Sequence, residues 1–284
     1  MPSIFRHGLF EGHVAIVTGG GSGIGLAIAR AFVELGCSVA IGGRSPEKLA
    51  VAREELQSRA AEGKTGAKIV AETCDIRDVE HVARFVDAVE RDLGATSILV
   101  NNAGGQFPTA AEHLAPKGWD AVIRNNLNGT FYVTHAVATR HMIPKKRGRI
   151  VNIIANIARG FPGMVHTGAA RAGVENMTKT LAVEWAPYGI QVNAIAPGVI
   201  RSSGTDRYPP ELVEMSRQKT PQKRLGTPEE VAQLAAYLAC DAAAFVTGEC
   251  WYIDGGAHLW GDNWILPDTP ETPPSPAIAK LAER

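Results

Sequence analysis

Cysteine is scarce and poorly placed to act as a staple. Cys37, Cys74, Cys240 and Cys250 form no CxxC pair and show no metal-ligand spacing. Each sits among apolar neighbours, which points to free buried thiols in a reducing compartment, with no disulfide framework and no metal. Charge of neither sign is in excess: Lys plus Arg and Asp plus Glu number 29 each. Nothing therefore calls for nucleic acid or an anionic membrane as a partner. Long hydrophobic runs are missing as well. The nearest approach, 231–246, is broken by Gln233 and Asp241, short of the ~18 uncharged apolar residues that a membrane span needs. Glu11 and His13 interrupt the opening residues, which do not read as a signal peptide. A cytoplasmic protein with no membrane contact is the expectation.

What is there is alternation. Short β-branched runs at 14–18, 38–41, 68–73, 97–100, 149–154, 191–195 and 250–253 are mostly apolar rather than alternating, as parallel strands covered on both faces should be. Helical patterns lie between them at 23–35, 46–61, 78–93, 118–142, 165–185 and 228–239. Ser45-Pro46 and Thr227-Pro228-Glu229-Glu230 each offer an N-cap, a first-turn proline and acids for the helix dipole. The pattern implies an α/β fold, a doubly wound parallel seven-stranded sheet of the Rossmann type, in a single domain over 1–257. Neither an internal repeat nor a mid-chain linker divides it. Composition shifts only at 258–284, where five prolines accompany Trp260 and Trp264. That tail is either loosely ordered or an arm pinned by the two tryptophans.

The first strand runs into Thr18-Gly19-Gly20-Gly21-Ser22-Gly23-Ile24-Gly25. Such a loop between strand and helix is a variant of the dinucleotide fingerprint. Gly19 would permit the tight turn, Gly23 would let backbone N–H groups approach a pyrophosphate, and Gly25 would let the helix pack on the strand. Ser22 and Ile24 belong to the same contact surface. The second strand ends in Ile41-Gly42-Gly43-Arg44. An acid at that point would bind a ribose 2′-hydroxyl. An arginine there can instead grip a 2′-phosphate, which favours NADPH, unless Arg44 merely points to solvent.

TGGGSGIG, the run Asn101-Asn102-Ala103-Gly104 after the fourth strand and Pro197-Gly198-Val199-Ile200 after the sixth together resemble the short-chain dehydrogenase/reductase family over about 10–257. The resemblance implies a homo-oligomer, dimeric or tetrameric, that uses NAD(P)(H). It places Asp75 and Ile76 at the adenine, Asn101 to Gly104 along the ribose and sheet, and Pro197, Gly198 and Ile200 near the nicotinamide amide.

At the chemical end the pattern breaks. The family's catalytic set is a Ser, a Tyr, a Lys four residues later and an Asn. Arg171-Ala-Gly-Val174 matches the usual Lys-Ala-Gly-Val, so the resemblance puts Arg171 at the lysine position and Thr167 at the tyrosine position. Ile154 or Ala155 then stands for the serine, and Asn126 matches the Asn. Tyr132 and Tyr188 are the nearest tyrosines along the chain. Ketone reduction builds an alkoxide that needs an acid of tuned pKa, which threonine is not. Hydride addition to Cβ of an α,β-unsaturated thioester leaves only a delocalised enolate. Hydrogen-bond donors suffice for that oxygen, at roughly 3–4 kcal/mol each. His166, Thr167, Asn128 and Asn156 are the candidate donors, although His166, Asn128 and Asn156 also read as core, cap or turn residues. Arg171 could hold the nicotinamide ribose and supply a fixed positive field.

The segments at 101–107, 111–119, 128–132, 151–154 and 165–174 also resemble the trans-2-enoyl-CoA and 2,4-dienoyl-CoA reductase branches of that family. The expected activity is thus NADPH-dependent reduction of an acyl-CoA double bond. The alternatives are a carbonyl oxidoreductase using His166 as acid and a non-catalytic NADP(H)-binding subunit. The chain ends Leu-Ala-Glu-Arg, unlike an SKL-type peroxisomal address. Lys145-Lys146-Arg147 reads as a solvated cluster at a helix end, or as a patch for CoA phosphates.

Overall fold

Each β-branched run becomes a strand of one parallel sheet, and each helical pattern becomes a crossover on one of its faces. The computed structural model describes residues 5–202 and 209–259. Trp260, Trp264 and the rest of the tail from residue 260 lie outside the described residues. The strands are β1 (Val14–Thr18), β2 (Ser38–Gly43), β3 (Ile69–Thr73), β4 (Ile98–Asn101), β5 (Gly148–Ile153), β6 (Ile190–Pro197) and β7 (Cys250–Ile253). Their spatial order is β3-β2-β1-β4-β5-β6-β7, and every pairing is parallel. The order reverses between β1 and β4, so the loops leaving those two strands diverge and open a crevice at their carboxyl ends.

The helices are α1 (Gly23–Glu34), α2 (Pro46–Glu62), α3 (Val79–Leu93), α4 (Pro116–Ile123), α5 (Gly129–Val137), α6 (Ile143–Lys145), α7 (Val165–Trp185), α8 (Pro210–Lys219) and α9 (Pro228–Ala239). Two apolar layers sandwich the sheet. One joins Ala27, Ile28 and Phe32 of α1, Leu56 of α2 and Val231 of α9 to the strands. The other joins Phe85 and Val86 of α3, Val133 and Val137 of α5 and Leu181 of α7. Cys37, Cys74 and Cys240 are buried and Cys250 is half-buried, and all four are free thiols. Burial pushes Cys74 and Cys250 up to about 12 and Cys37 further still, so these three are not thiolates near neutrality. No helix among the described residues is long and apolar enough to cross a membrane.

Two features depart from the sequence pattern. The helix expected over 118–142 is a composite: five-residue π segments at Arg124–Asn128 and Ala138–Met142 separate α4, α5 and α6. Helix α8 was not anticipated because it buries no residue and exposes Leu212 and Met215. It therefore lacks the apolar stripe by which a helix is read.

Beneath the crevice the core is polar at one place. Asn101 at the end of β4 donates through Nδ2 to Thr134 Oγ1 on α5 and to Asn152 Oδ1 on β5, each at 2.8 Å. Asn152 in turn donates through Nδ2 to Thr178 Oγ1 on α7 at 2.9 Å. All four side chains are buried. Because buried amides must be paired, this chain of bonds fixes α5 and α7 in register on the central strands. Asn152→Ala removes the shared partner and is expected to lower the free energy of unfolding by about 2 kcal/mol. A shift in the urea midpoint worth less than about 0.5 kcal/mol would show that the network holds nothing in place.

Candidate active site

The glycine loop between β1 and α1 is built against the loop leaving β4. Thr18 Oγ1 accepts the backbone N–H groups of Asn102 and Ala103, both at 3.0 Å. Asn102 Nδ2 donates to the carbonyls of Thr18 and Gly19 at 3.1 and 3.3 Å. Gly19 has φ +66°, and a Cβ there would lie 2.9 Å from Asn102 Nδ2. A Cβ on Gly25 would lie 2.4 Å from both Gly19 O and Asn102 Nδ2. Gly25 thus makes room for the loop itself, where the sequence suggested packing of helix on strand. The result is a backbone cradle that side chains would fill.

That cradle lines a groove of about 860 Å³ together with Ser22, Gly23 and Ile24 at the start of α1. Ser22 caps α1 without a side-chain capping bond, and the first turn carries no acid. The positive end of α1 therefore opens into the groove with its hydroxyl donor uncommitted. Arg44 and Lys48 line the adjoining corner and are exposed. Asp75 and Ile76 line the groove from the end of β3. The Arg77 guanidinium grips both oxygens of Asp75, with Nε–Oδ1 at 2.8 Å and Nη2–Oδ2 at 2.5 Å. Hydrogen bonds from Arg77 hold the Asp75 carboxyl at about 2, despite partial burial, with Arg44 adding to the pull. No sequence motif drew attention to Arg77.

At the other end of the groove stands Arg171 on α7. It is buried, donates from Nη1 to the carbonyl of Ile153 at 3.0 Å, and leaves its buried Nε without a partner. No carboxylate among the described residues pairs with it, and desolvation alone lowers it to about 10. It remains a cation at neutral pH. Gly104 lies against it: a Cβ there would fall 2.4 Å from Arg171 Nη2 and 2.8 Å from Asn126 Oδ1. Asn126, inside the first π segment, accepts from Gly105 N–H at 3.0 Å and donates to Gly105 O at 2.8 Å. Its amide is spent on the backbone of the loop that carries Gly104, so Asn126 positions that loop. The π segment is what turns Asn126 toward it.

The donors proposed from sequence lie deeper than the groove wall. His166 and Thr167, in the first turn of α7, are fully buried. His166 Nδ1 accepts the Thr167 N–H at 2.8 Å and sits 3.3 Å from Thr167 Oγ1. An accepting Nδ1 puts the ring proton on Nε2, and buried Nε2 has no partner. Phe107 covers this ring edge-on at 4.6 Å while itself lining the groove. Ile154, at the position the resemblance gives to serine, also lines the groove. None of the described lining residues is a tyrosine. Tyr188 is exposed in a turn beyond α7, and Tyr132 packs against the core from α5.

Several sequence candidates are not brought to the groove. Asn101 turns into the core network described above. Pro197 and Ile200 are buried, Ile200 bridging to Gly226. Gly198 donates its N–H to Ile253 O at 3.0 Å and backs onto Asp254. Asn128 starts α5 without a side-chain capping bond and off the groove wall. Asn156 donates to Asp254 Oδ2 at 2.8 Å, which commits its amide to the loop after β7. Lys145 to Arg147 precede β5, at the opposite end of the sheet, and Arg147 pairs with Asp241 at 3.3 Å. They face no CoA at this groove. No group of three or more metal-ligating side chains occurs among the described residues.

A dinucleotide fits what is present: a side-chain-free cradle at a helix N-terminus, cations at the adenosine corner, and a buried guanidinium with an unmet N–H at the far end. Comparisons with known proteins agree with this layout. The family model described as enoyl-(acyl carrier protein) reductase matches residues 19–258. A probable 2,4-dienoyl-CoA reductase of Bacillus subtilis is 41% identical over 254 residues, 88% of this chain and 98% of its own. Gluconate 5-dehydrogenase of Gluconobacter oxydans is 37% identical over 260 residues, 90% of this chain and 97% of its own. Among solved structures, an actinorhodin polyketide ketoreductase variant with NADPH superposes with TM-score 0.81 at 34% identity, covering 87% of this chain and 98% of that one.

Gly104→Ala is expected to displace Arg171 and weaken dinucleotide binding about tenfold or more, with the circular dichroism spectrum unchanged. Unaltered affinity in a titration would show that this contact is not needed. The Asp75–Arg77 pair also has a pH signature. A carboxyl lowered in the fold stabilises above its unfolded value of ~3.9 and loses that contribution as pH falls through about 2. In ¹³C spectra the Asp75 carboxyl should titrate near 2 and move toward about 4 in Arg77→Gln. No movement would mean that the arginine is not the cause.

Proposed function

The chain belongs to the short-chain dehydrogenase/reductase family of oxidoreductases, and from that premise we propose that it reduces the carbon–carbon double bond of a trans-2-enoyl-CoA or 2,4-dienoyl-CoA thioester with NADPH. One observation carries the reading. The head of α7 offers a buried permanent cation, Arg171, and the hydrogen-bond donors His166 and Thr167, and no tyrosine lines the groove among the described residues.

NADPH, when bound, supplies the hydride. Ser22 to Ile24 at the start of α1 would hold its pyrophosphate, Arg44 and Lys48 its 2′-phosphate, and Asn102 to Gly104 with Arg171 its nicotinamide ribose. Arg171 does not release a proton near neutrality, so its part is orientation and field. Hydride addition to a conjugated thioester places negative charge on the thioester oxygen as an enolate. The His166 Nε2–H and the Thr167 hydroxyl are the donors that would meet that oxygen once Phe107 moves aside. Donors pre-oriented in a dry site are the economical solution for such charge, and protonation at Cα can follow from solvent. The relative named 2,4-dienoyl-CoA reductase supports this chemistry. A dimer or tetramer acting in the cytoplasm belongs to the same reading.

A second reading is favoured by the unpartnered Nε2–H of His166 and by the relative named gluconate 5-dehydrogenase. In it, His166 would protonate a carbonyl oxygen. Purified protein is expected to oxidise NADPH with trans-2-enoyl-CoA or 2,4-dienoyl-CoA and to leave simple ketones untouched. Turnover of ketones alone, abolished in His166→Ala, would replace the first reading with the second. Under the first reading, His166→Ala should lower kcat by roughly 10- to 100-fold while the Kd for NADPH stays unchanged.

A further inference from the structure

Asp75 lines the groove beside Arg44 with Arg77 clamped on it, and the proposed reaction gives Arg77 no task. The placement follows from the sheet. Gly43 and Thr73 are partners in the β2–β3 ladder, and Cys74 N–H donates to Gly43 O at 2.9 Å. Arg44 and Asp75 therefore leave neighbouring strands side by side, and both line the groove. A bare carboxylate at this corner would oppose a 2′-phosphate. It would reproduce the charge by which an acid after β2 selects the unphosphorylated cofactor.

Arg77 prevents that opposition. Its Nε lies 2.8 Å from Oδ1 and 3.1 Å from Oδ2, its Nη2 lies 2.5 Å from Oδ2, and its backbone N–H reaches Oδ1 at 3.1 Å. The clamp is bidentate along one edge of the carboxylate. Each oxygen thus accepts two contacts, and the carboxylate is satisfied by Arg77 alone. The next acid along the chain, Asp78, is committed to capping α3 through the N–H groups of Glu80 and His81. Arg77 is thus the cation that neutralises Asp75, leaving Arg44 and Lys48 uncancelled for a phosphate. We propose that Arg77 is a specificity-determining residue: by clamping Asp75 it cancels the charge of a carboxylate in the groove wall and so lets the groove prefer a 2′-phosphorylated dinucleotide. This inference rests on NADPH being the cofactor, as proposed above.

The test is direct binding of NADPH and NADH, measured by titration calorimetry, to the full chain and to R77Q, D75N and the double variant. Unmodified protein should prefer NADPH. In R77Q the NADPH:NADH affinity ratio should fall about tenfold, because a naked carboxylate now faces the phosphate. In the double variant the neutral amide pair should restore most of the original ratio. An arginine bound directly to the phosphate would give no such recovery, so a ratio that stays low in the double variant overturns the proposal. An R77Q ratio within about twofold of the original also overturns it. Should R77Q fail to fold, D75N alone decides: a ratio that holds or rises supports the charge argument, and a fall contradicts it. If the unmodified protein prefers NADH, the NADPH reading and this inference fall together, a result distinct from the loss of the Arg77 effect alone.

Discussion

A guanidinium buried without a carboxylate is the constraint around which the site is arranged. Charge taken out of water has to be met by dipoles or by a ligand. For Arg171 the protein supplies one backbone carbonyl, from Ile153, and leaves the Nε hydrogen unmet. The neighbouring loop is shaped to admit the fork: Gly104 has no side chain because one would collide with it, and Asn126 pins Gly105 through two hydrogen bonds. The π segment in the long helix exists in the same place and turns that asparagine inward. Beneath them the Asn101–Asn152–Thr178 chain seats α7 on the sheet. Each part fixes the position of a cation that only a ligand in the groove can fully satisfy.

The two ends of the groove treat positive charge differently. At the corner of Arg44 and Lys48 both cations are exposed and the neighbouring Asp75 is paired with its own arginine, so the positive charge there is uncancelled. At the chemical end Arg171 is dry, and desolvation brings it down only to about 10. A lysine in such a place could titrate toward neutrality and tune a neighbouring phenol. Arginine gives up that capability and keeps a constant field. Replacing the phenol by Thr167 is consistent with the same trade, because neither residue takes part in acid–base exchange at pH 7. What remains is a site suited to stabilising spread-out negative charge.

The sequence made the scaffold readable wherever an element buries a periodic or continuous apolar face. β1, β7, α7 and α9 appear at the expected residues, and other ends differ by only a few residues. Helix α8 escaped because it buries nothing, and the π segments escaped because a one-residue expansion leaves the apolar spacing almost unchanged. Within the site, glycine positions and Arg171 were legible from motif spacing. Side-chain direction was not. Asn101 and Asn102 are adjacent and chemically identical, yet strand alternation sends one into the core and the other onto the glycine loop. Thr18 went unnoticed because its partner, 84 residues away, is brought close only by the fold, and Arg77 because its clamp on Asp75, two residues back, depends on side-chain direction. His166 and Thr167 were correctly seen as neighbours on a helix, but the ring of Phe107 over them had no signature in the chain.

The central claim is that hydride goes to carbon in the chain of a thioester and not to a carbonyl. The most direct measurement incubates the protein with trans-2-enoyl-CoA and NADPH carrying deuterium at the transferable position, then locates the label in the product by NMR. Deuterium on Cβ of a saturated acyl-CoA is the expected result. Label on the carbon of a former carbonyl in an aldehyde or alcohol product, with the double bond intact, would contradict the account.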